Sequence, residues 1–160
     1  MLRLSKLTDY AVVVLSRLEA GQAACGDGVQ TSPGIAVATG VPEPTVAKVL
    51  KALAGAGMVT SQRGARGGYR LTKPLEDVSI ADVIAAIDGP IALTACVDGH
   101  QGVCEVQSLC AMKGRWDLVN DAIHTALSGI TLADMRDASV PLAFRVDPAP
   151  VVPAKLTMAE

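Results

Sequence analysis

The chain has 160 residues, of which half are hydrophobic and only four are aromatic, and its formal net charge is −2. This length suits one domain of ordinary size, or a small domain with an extended arm. Aliphatic side chains must build the core, which favours closely packed helices. No uninterrupted apolar stretch reaches the roughly 18 residues of a membrane span, and no secretory signal is visible, so we expect a cytoplasmic protein.

The first predicted helix runs from Thr8 to Leu18. Thr8 can cap it, and Asp9 lies in the first turn, where the helix dipole favours an acidic side chain. Apolar residues fall on one face of this helix: Ala11, Val14, Leu15 and Leu18. The following segment, 21–34, is predicted to be a loop, and its Cys25 is expected to be a free thiol.

A short helix followed by a turn and a longer helix is predicted next. Ser32 is expected to cap the short helix with Pro33 in its first position, and Gly40 ends it. The longer helix runs from Pro44 to about Ala54. Its apolar positions follow a period of about 3.6 residues: Val46, Val49, Leu50 and Leu53. Its outward positions are polar or basic: Thr45, Lys48 and Lys51. This arrangement is typical of a helix-turn-helix unit.

A β-hairpin is predicted after the second of these helices. Strands at 58–61 and 69–71 flank a glycine-rich turn that carries Arg63 and Arg66. Such a wing can place arginines against phosphates or in a narrow minor groove. A phosphate-binding nucleotide loop is less consistent with the sequence, because the Gly-Lys-Ser/Thr ending is missing and a strand follows.

Basic residues are concentrated in this part of the chain. Between Glu43 and Glu76 there are six basic residues and no acidic ones, so the remainder carries −8, since −2 minus 6 is −8. The net charge alone argues against nucleic-acid binding, whereas a local basic patch on an acidic body can hold phosphates at one face. We therefore expect a winged helix-turn-helix unit that binds DNA, in a mainly helical fold with a small β-hairpin.

Three cysteines follow a further helix that Ser79 caps and Gly89 ends. Cys96, Cys104 and Cys110 are spaced Cys-x7-Cys-x5-Cys in one turn-rich segment. Clustered thiols in a reducing compartment usually bind metal or take part in redox chemistry. Three soft thiolate ligands suit an iron–sulfur cluster or zinc.

The C-terminal part is predicted to contain a long helix from Met112 to Leu127 with apolar residues in line. Little of its own chain is available to cover that face, so we expect a dimer contact. Thr131 is expected to cap a last short turn. The predicted organisation is a winged helix-turn-helix DNA-binding domain at 1–90, a cysteine loop at 91–111, a dimerisation helix with a short terminal helix at 112–137, and a disordered tail at 138–160.

Several of these motifs together resemble the bacterial winged-helix regulators of the IscR and NsrR type. The resemblance covers about residues 1–137. It is carried by the opening Met-x-Leu-x-x-x-Thr-Asp-Tyr-Ala, the wing Arg63-Gly-Ala-Arg-Gly-Gly-Tyr-x-Leu, the segment Ser79-Ile-Ala-Asp-Val-Ile-x-Ala-Ile-Asp-Gly-Pro and the three late cysteines. The segment Pro42-Glu-Pro-Thr-Val-Ala-Lys-Val-Leu is similar to the subgroup that regulates SUF-type iron–sulfur cluster assembly.

The resemblance implies a homodimer on an inverted-repeat operator in double-stranded DNA, and an iron–sulfur cluster, [2Fe–2S] more than [4Fe–4S], on Cys96, Cys104 and Cys110. Some members add a histidine three residues after the last cysteine, where this chain has Lys113. Others use an acidic residue from the partner subunit's first helix, and Asp9 matches that position. The residues expected to contact DNA are Thr45, Lys48, Lys51, Arg63, Arg66 and Tyr69.

Two alternative functions remain open at this point. One is a dimeric DNA-binding regulator, zinc-stabilised or cluster-free, that responds to redox state or nitric oxide. The other is an enzyme such as a thiol oxidoreductase. The sequence argues against an enzyme, because it has no Cys-x-x-Cys pair near a βαβ pattern and no Ser/His/Asp or paired-carboxylate pattern.

Overall fold

A computed structural model describes residues 4–24, 28–64, 67–94, 97, 111 and 114–136. Its regular elements are α1 (Lys6–Ala24), α2 (Ser32–Thr39), α3 (Glu43–Gly55), β1 (Val59–Gln62), β2 (Gly68–Leu71), a 3₁₀ turn (Leu75–Asp77), α4 (Ile80–Asp88), α5 (Trp116–Ser128) and α6 (Leu132–Arg136). None of the helices in the described part is long and apolar enough to cross a membrane. The predicted fold class, mainly helical with a two-stranded antiparallel hairpin, is confirmed.

Helix α1 begins earlier and ends later than predicted, and Thr8 is not its cap. Ser5 has that role, because its Oγ accepts a hydrogen bond from the Thr8 backbone N–H at 3.2 Å. Thr8 lies in the first turn of the helix, only 2% exposed, and its hydroxyl donates to Asp88 Oδ2 at 2.6 Å. The bond joins the start of α1 to the end of α4.

The turn between α2 and α3 follows the helix-turn-helix prediction, with one correction at its start. Thr31, not Ser32, caps α2, since its hydroxyl accepts from the Gly34 N–H at 3.2 Å and Ser32 is already helical. Gly40 ends α2 with φ 71° and ψ 4°, a left-handed conformation that glycine adopts without steric cost. The chain therefore reverses sharply and enters α3 at the turn predicted from the sequence.

The core is formed by the apolar faces of α1, α3 and α4 together with the base of the hairpin. The four apolar positions predicted for α1 and the four predicted for α3 are all fully buried. Ser79 caps α4 as predicted: its hydroxyl accepts from the Asp82 N–H, and the Ser79 N–H donates in return to the Asp82 carboxylate, which completes a capping box. Because one face of α3 packs into this core, its opposite face is left at the surface.

The chain leaves this core through α5 and returns to it through α6. Ile80 N–H donates to the Ile130 carbonyl at 2.9 Å, and Leu132 N–H donates to the Val78 carbonyl at 2.9 Å. Leu132 is fully buried, and Arg136 forms an ion pair with Glu19 of α1. The segment after α5 is thus attached to the helix-turn-helix unit.

Helix α5 begins at Trp116, whereas the sequence predicted a start at Met112, which lies outside the described residues. It packs on α4, and its buried Asn120 accepts the Leu93 N–H at 3.2 Å through Oδ1. Three of its apolar side chains are exposed: Trp116 is 40% exposed, Leu118 78% and Val119 45%. The predicted tail at 138–160 also lies outside the described residues.

Candidate nucleic-acid interface

Helix α3 presents a polar and basic face opposite its buried one. Lys48 and Lys51 are exposed and lie on the same side of the helix, three residues apart, while Thr45 is half-buried one turn before Lys48. Pro44 and Glu43 precede them in the first turn. An exposed helix face of this composition can contact base edges and phosphates in a major groove.

The hairpin β1–β2 follows α3 directly and extends the basic surface. Its register pairs Val59 with Leu71 and Gln62 with Gly68. Gly64 has φ 117°, and the Gly67 N–H closes the turn on the Gly64 carbonyl at 2.9 Å. A side chain at Gly67 would place its Cβ 2.6 Å from the Gln62 carbonyl oxygen, so the tight turn requires glycine there.

Basic side chains on this surface are available to a negatively charged partner. Within the described part of the chain, neither an ion pair nor a side-chain hydrogen bond involves any of the exposed cations Lys48, Lys51, Arg63, Arg70 and Lys73. Arg66 lies outside the described residues. Cations that lack protein partners can neutralise phosphates without breaking internal contacts first.

Hydrogen bonds fix the hairpin at its outer edge and at its base. Gln30 exchanges two backbone hydrogen bonds with Tyr69, at 2.8 and 2.9 Å, and so adds a bridge to the outer edge of β2. Thr72 Oγ1 lies within hydrogen-bonding distance of the carbonyl oxygens of Gly57 (2.6 Å) and Met58 (2.9 Å) at the base of the hairpin. The ring of Tyr69 is half-buried against the core.

The proposed cluster ligands are only partly within the described chain. Cys96, Cys104 and Cys110 lie outside it, as does Cys25. Asp9 lies exposed in the first turn of α1, and its carboxylate forms no hydrogen bond or ion pair with residues that the structure describes. Among those residues, no three His, Cys, Asp or Glu side chains are grouped closely enough to hold a metal ion.

A helix-turn-helix unit, a hairpin beside its second helix and unpaired cations on both define a winged-helix DNA-binding protein. The chain belongs to the Rrf2 family, described as iron-dependent transcriptional regulators, which matches residues 4–138. It is a regulator that binds DNA, and its relatives are transcriptional regulators, not enzymes.

Known relatives match over most of the chain. Protein aau3 of Rhizobium meliloti is 31% identical over 143 residues, covering 89% of this chain and 90% of that protein. Among solved structures, CymR, the global cysteine regulator of Bacillus subtilis, superposes with a TM-score of 0.62 at 26% identity, covering 88% of this chain and all of CymR. IscR of T. potens gives 0.58 at 28% identity, covering 92% and 94%.

Sequence reasoning missed Gln30, which lies in the segment predicted to be an unstructured loop. No periodicity or local motif marks it, because its partners are far away in the chain. The only sequence signal is indirect. Gly21 and Gly68, the two positions where a Cβ would collide with Gln30, are both glycine.

Proposed function

We propose that this protein is a homodimeric repressor that reads an inverted-repeat operator, with α3 of each protomer in a major groove and each hairpin beside it. The observation that carries this proposal is the set of exposed, unpaired cations on α3 and the hairpin. Twofold symmetry of the protein requires two half-sites on one face of the duplex, a whole number of turns apart.

The assignment of DNA contacts follows from position and exposure. Thr45 and Lys48 lie in the first half of α3, the end that enters a groove in helix-turn-helix proteins, so we assign them to base edges. Lys51, one turn further along, and Arg63 on the hairpin are assigned to phosphates, together with Arg66 at the predicted tip. Tyr69 contributes the exposed part of a ring whose other part packs on the core.

The second protomer is expected to cover the exposed face of α5. Three apolar side chains of α5 are exposed in the single chain, and Leu118, on the side opposite the buried Asn120, has the largest exposed fraction, 78%. A concentration of large apolar side chains left open to water on one helix is typical of a protein–protein contact. Dimerisation through α5 would bury them and present two α3 helices to one duplex.

The sensing role rests on the cysteines and on the resemblance to IscR-type regulators. We propose that Cys96, Cys104 and Cys110 hold an iron–sulfur cluster and that Asp9 of the partner subunit completes its ligands. The exposed, unpaired carboxylate of Asp9 is consistent with that role. Leu93, anchored on Asn120 at 3.2 Å, ties the beginning of the cysteine segment to α5. Cluster state can therefore act on the helix that joins the protomers, and the genes controlled would be those of cluster assembly.

Anaerobic purification followed by visible spectroscopy tests the sensing role. Brown protein with charge-transfer bands is expected, and Cys104→Ala should abolish the bands while Cys25→Ala, the matched control, retains them. Colourless protein with one zinc per chain would establish the zinc alternative. A full complement of cluster in Cys104→Ala would overturn the ligand assignment.

Operator titrations test the DNA-binding face. Lys48→Ala is expected to weaken binding by about 1–3 kcal/mol at particular base pairs if it reads a base. Arg63→Ala should weaken binding to all sequences and reduce the salt slope by about one unit for each phosphate that is no longer neutralised. If neither variant weakens binding at any salt concentration, α3 and the hairpin are not the DNA-binding surface.

A further inference from the structure

Gln30 links the wing, the hairpin β1–β2, to α1. Its backbone bonds to the wing and its side chain bonds to α1. Its backbone pairs with Tyr69 in both directions, at 2.8 and 2.9 Å. Its side-chain Nε2 donates to the Arg17 carbonyl at 2.9 Å and to the Leu18 carbonyl at 3.2 Å. One residue thus joins the outer strand of the hairpin to the second half of the longest helix.

Gln30 fits closely between α1 and β2. A Cβ at Gly21 would lie 1.8 Å from Gln30 Nε2, and a Cβ at Gly68 would lie 2.5 Å from the Gln30 carbonyl oxygen. Real atoms do not approach that closely. Two glycines, one on α1 and one on β2, therefore allow the glutamine to lie between the helix and the strand.

The attachment matters because the other described contacts of the hairpin are the packing of the Tyr69 ring on the core and the contacts at its base. β1 continues from α3, and β2 leads through Leu71 to the core, so both strands are held mainly at their base. Gln22 adds one long hydrogen bond to the Leu71 carbonyl, at 3.4 Å. Towards the tip, Tyr69 is the last residue of β2 with a hydrogen-bond partner outside the hairpin among the residues that the structure describes. The hydrogen bonds between Tyr69 and Gln30 are thus the described polar attachment nearest to the tip.

We infer that Gln30 is a positioning residue for DNA binding: it fixes the wing relative to α1, and through the shared core relative to α3, so that Arg63 and Arg70 meet phosphates while α3 occupies the major groove. This inference rests on the proposed function. Gln30 itself need not touch DNA. It holds the cations of the hairpin in position before DNA binds, so that less conformational freedom is lost when the complex forms.

Two substitutions break the attachment in different ways. Gln30→Met keeps the length and the backbone pairing but removes the amide that donates to α1. Gly21→Ala keeps Gln30 but puts a methyl group where its amide lies, so the amide has to move away from α1. Replacing a helical glycine by alanine in itself favours the helix. The matched control is Ser16→Ala, which also removes a hydrogen bond to an α1 carbonyl, that of Ser16 Oγ to Val12 at 2.9 Å, but one that stays within the helix.

Operator affinity, salt dependence and hydrogen exchange are measured for each variant. Both test variants should bind the operator more weakly and reduce the salt slope by about one unit for each phosphate that the wing no longer reaches, as Arg63→Ala does. The double variant Gln30→Met/Arg63→Ala should lose less binding free energy than the two single variants lose in sum, because both substitutions act through the wing. Amide exchange at 68–71 should accelerate in the free protein while that of α3 stays unchanged.

The outcomes separate this inference from the proposed function. If Arg63→Ala weakens binding but Gln30→Met and Gly21→Ala bind like Ser16→Ala, Gln30 does not position the wing. Fully additive losses of binding free energy in the double variant would also reject the inference, and so would an unchanged salt slope in the single variants. A general loss of stability would produce either result. If the unaltered protein binds no DNA, the proposed function fails, and hydrogen exchange at 68–71 still decides whether Gln30 fixes the hairpin.

Discussion

Replacing Leu118 by alanine tests whether α5 joins two protomers. Fully burying a leucine side chain contributes about 1.5–3 kcal/mol. Since 78% of Leu118 is exposed in the single chain, covering it would contribute about 1.2–2.3 kcal/mol per copy. A twofold interface contains the residue twice. Allowing for the methyl group that alanine retains, we expect a loss of about 2–4 kcal/mol, or a dimer Kd about 30 to 700 times higher.

Sedimentation velocity over a range of protein concentrations measures this Kd. Leucine and alanine both favour helix, so α5 should remain folded in the variant. Val37→Ala is the matched control, because Val37 is 87% exposed on α2 and lies outside the proposed interface. A Leu118→Ala protein that dimerises as tightly as Val37→Ala would refute the assignment of α5 as the dimer contact, and a monomeric unaltered protein would refute the dimer itself.

Two further predictions concern stability. Thr8→Val keeps the side-chain shape but removes the 2.6 Å bond to Asp88; because Asp88 is exposed and can be hydrated again, we expect a loss of about 1 kcal/mol in urea unfolding. Gly40→Ala meets no steric obstacle, yet its φ of 71° is left-handed, so a loss of about 1–2 kcal/mol is expected. Gly55→Ala, also in open space but without a positive φ, should cause no loss, and equal effects of the two alanines would contradict the conformational explanation.

The sequence predicted most of the helical core because burial follows a local period. The apolar positions of α1 and α3 repeat every three or four residues, and each of them is buried in the fold. Cap positions were less predictable. Thr31 and Ser32 are adjacent and both can cap, and only the backbone conformation decides between them. Ser5 likewise precedes Thr8, and the tertiary bond between Thr8 and Asp88 gives the threonine another role.

The candidate site was predictable to a similar extent and for similar reasons. The exposure of Lys48 and Lys51 follows from the helical period, and the hairpin follows from glycines flanked by strand-forming residues. The attachment of the wing was not predictable, because Gln30 finds its partners 12, 13 and 39 residues away. Whether Cys96, Cys104, Cys110 and Asp9 act together stays a prediction.

The attachment of α5 at both ends has a mechanical consequence. Its 13 residues form a rod about 20 Å long, tied near one end by Asn120 to Leu93 and, just after the other, by the hydrogen bonds between residues 130–132 and 78–80. Because α5 also packs on α4, a rotation of α5 would be passed to α4 and so to the DNA-binding unit. Adding one residue within α5 would offset its two ends by about 100°, and the fold would have to break one of the two ties to absorb that twist.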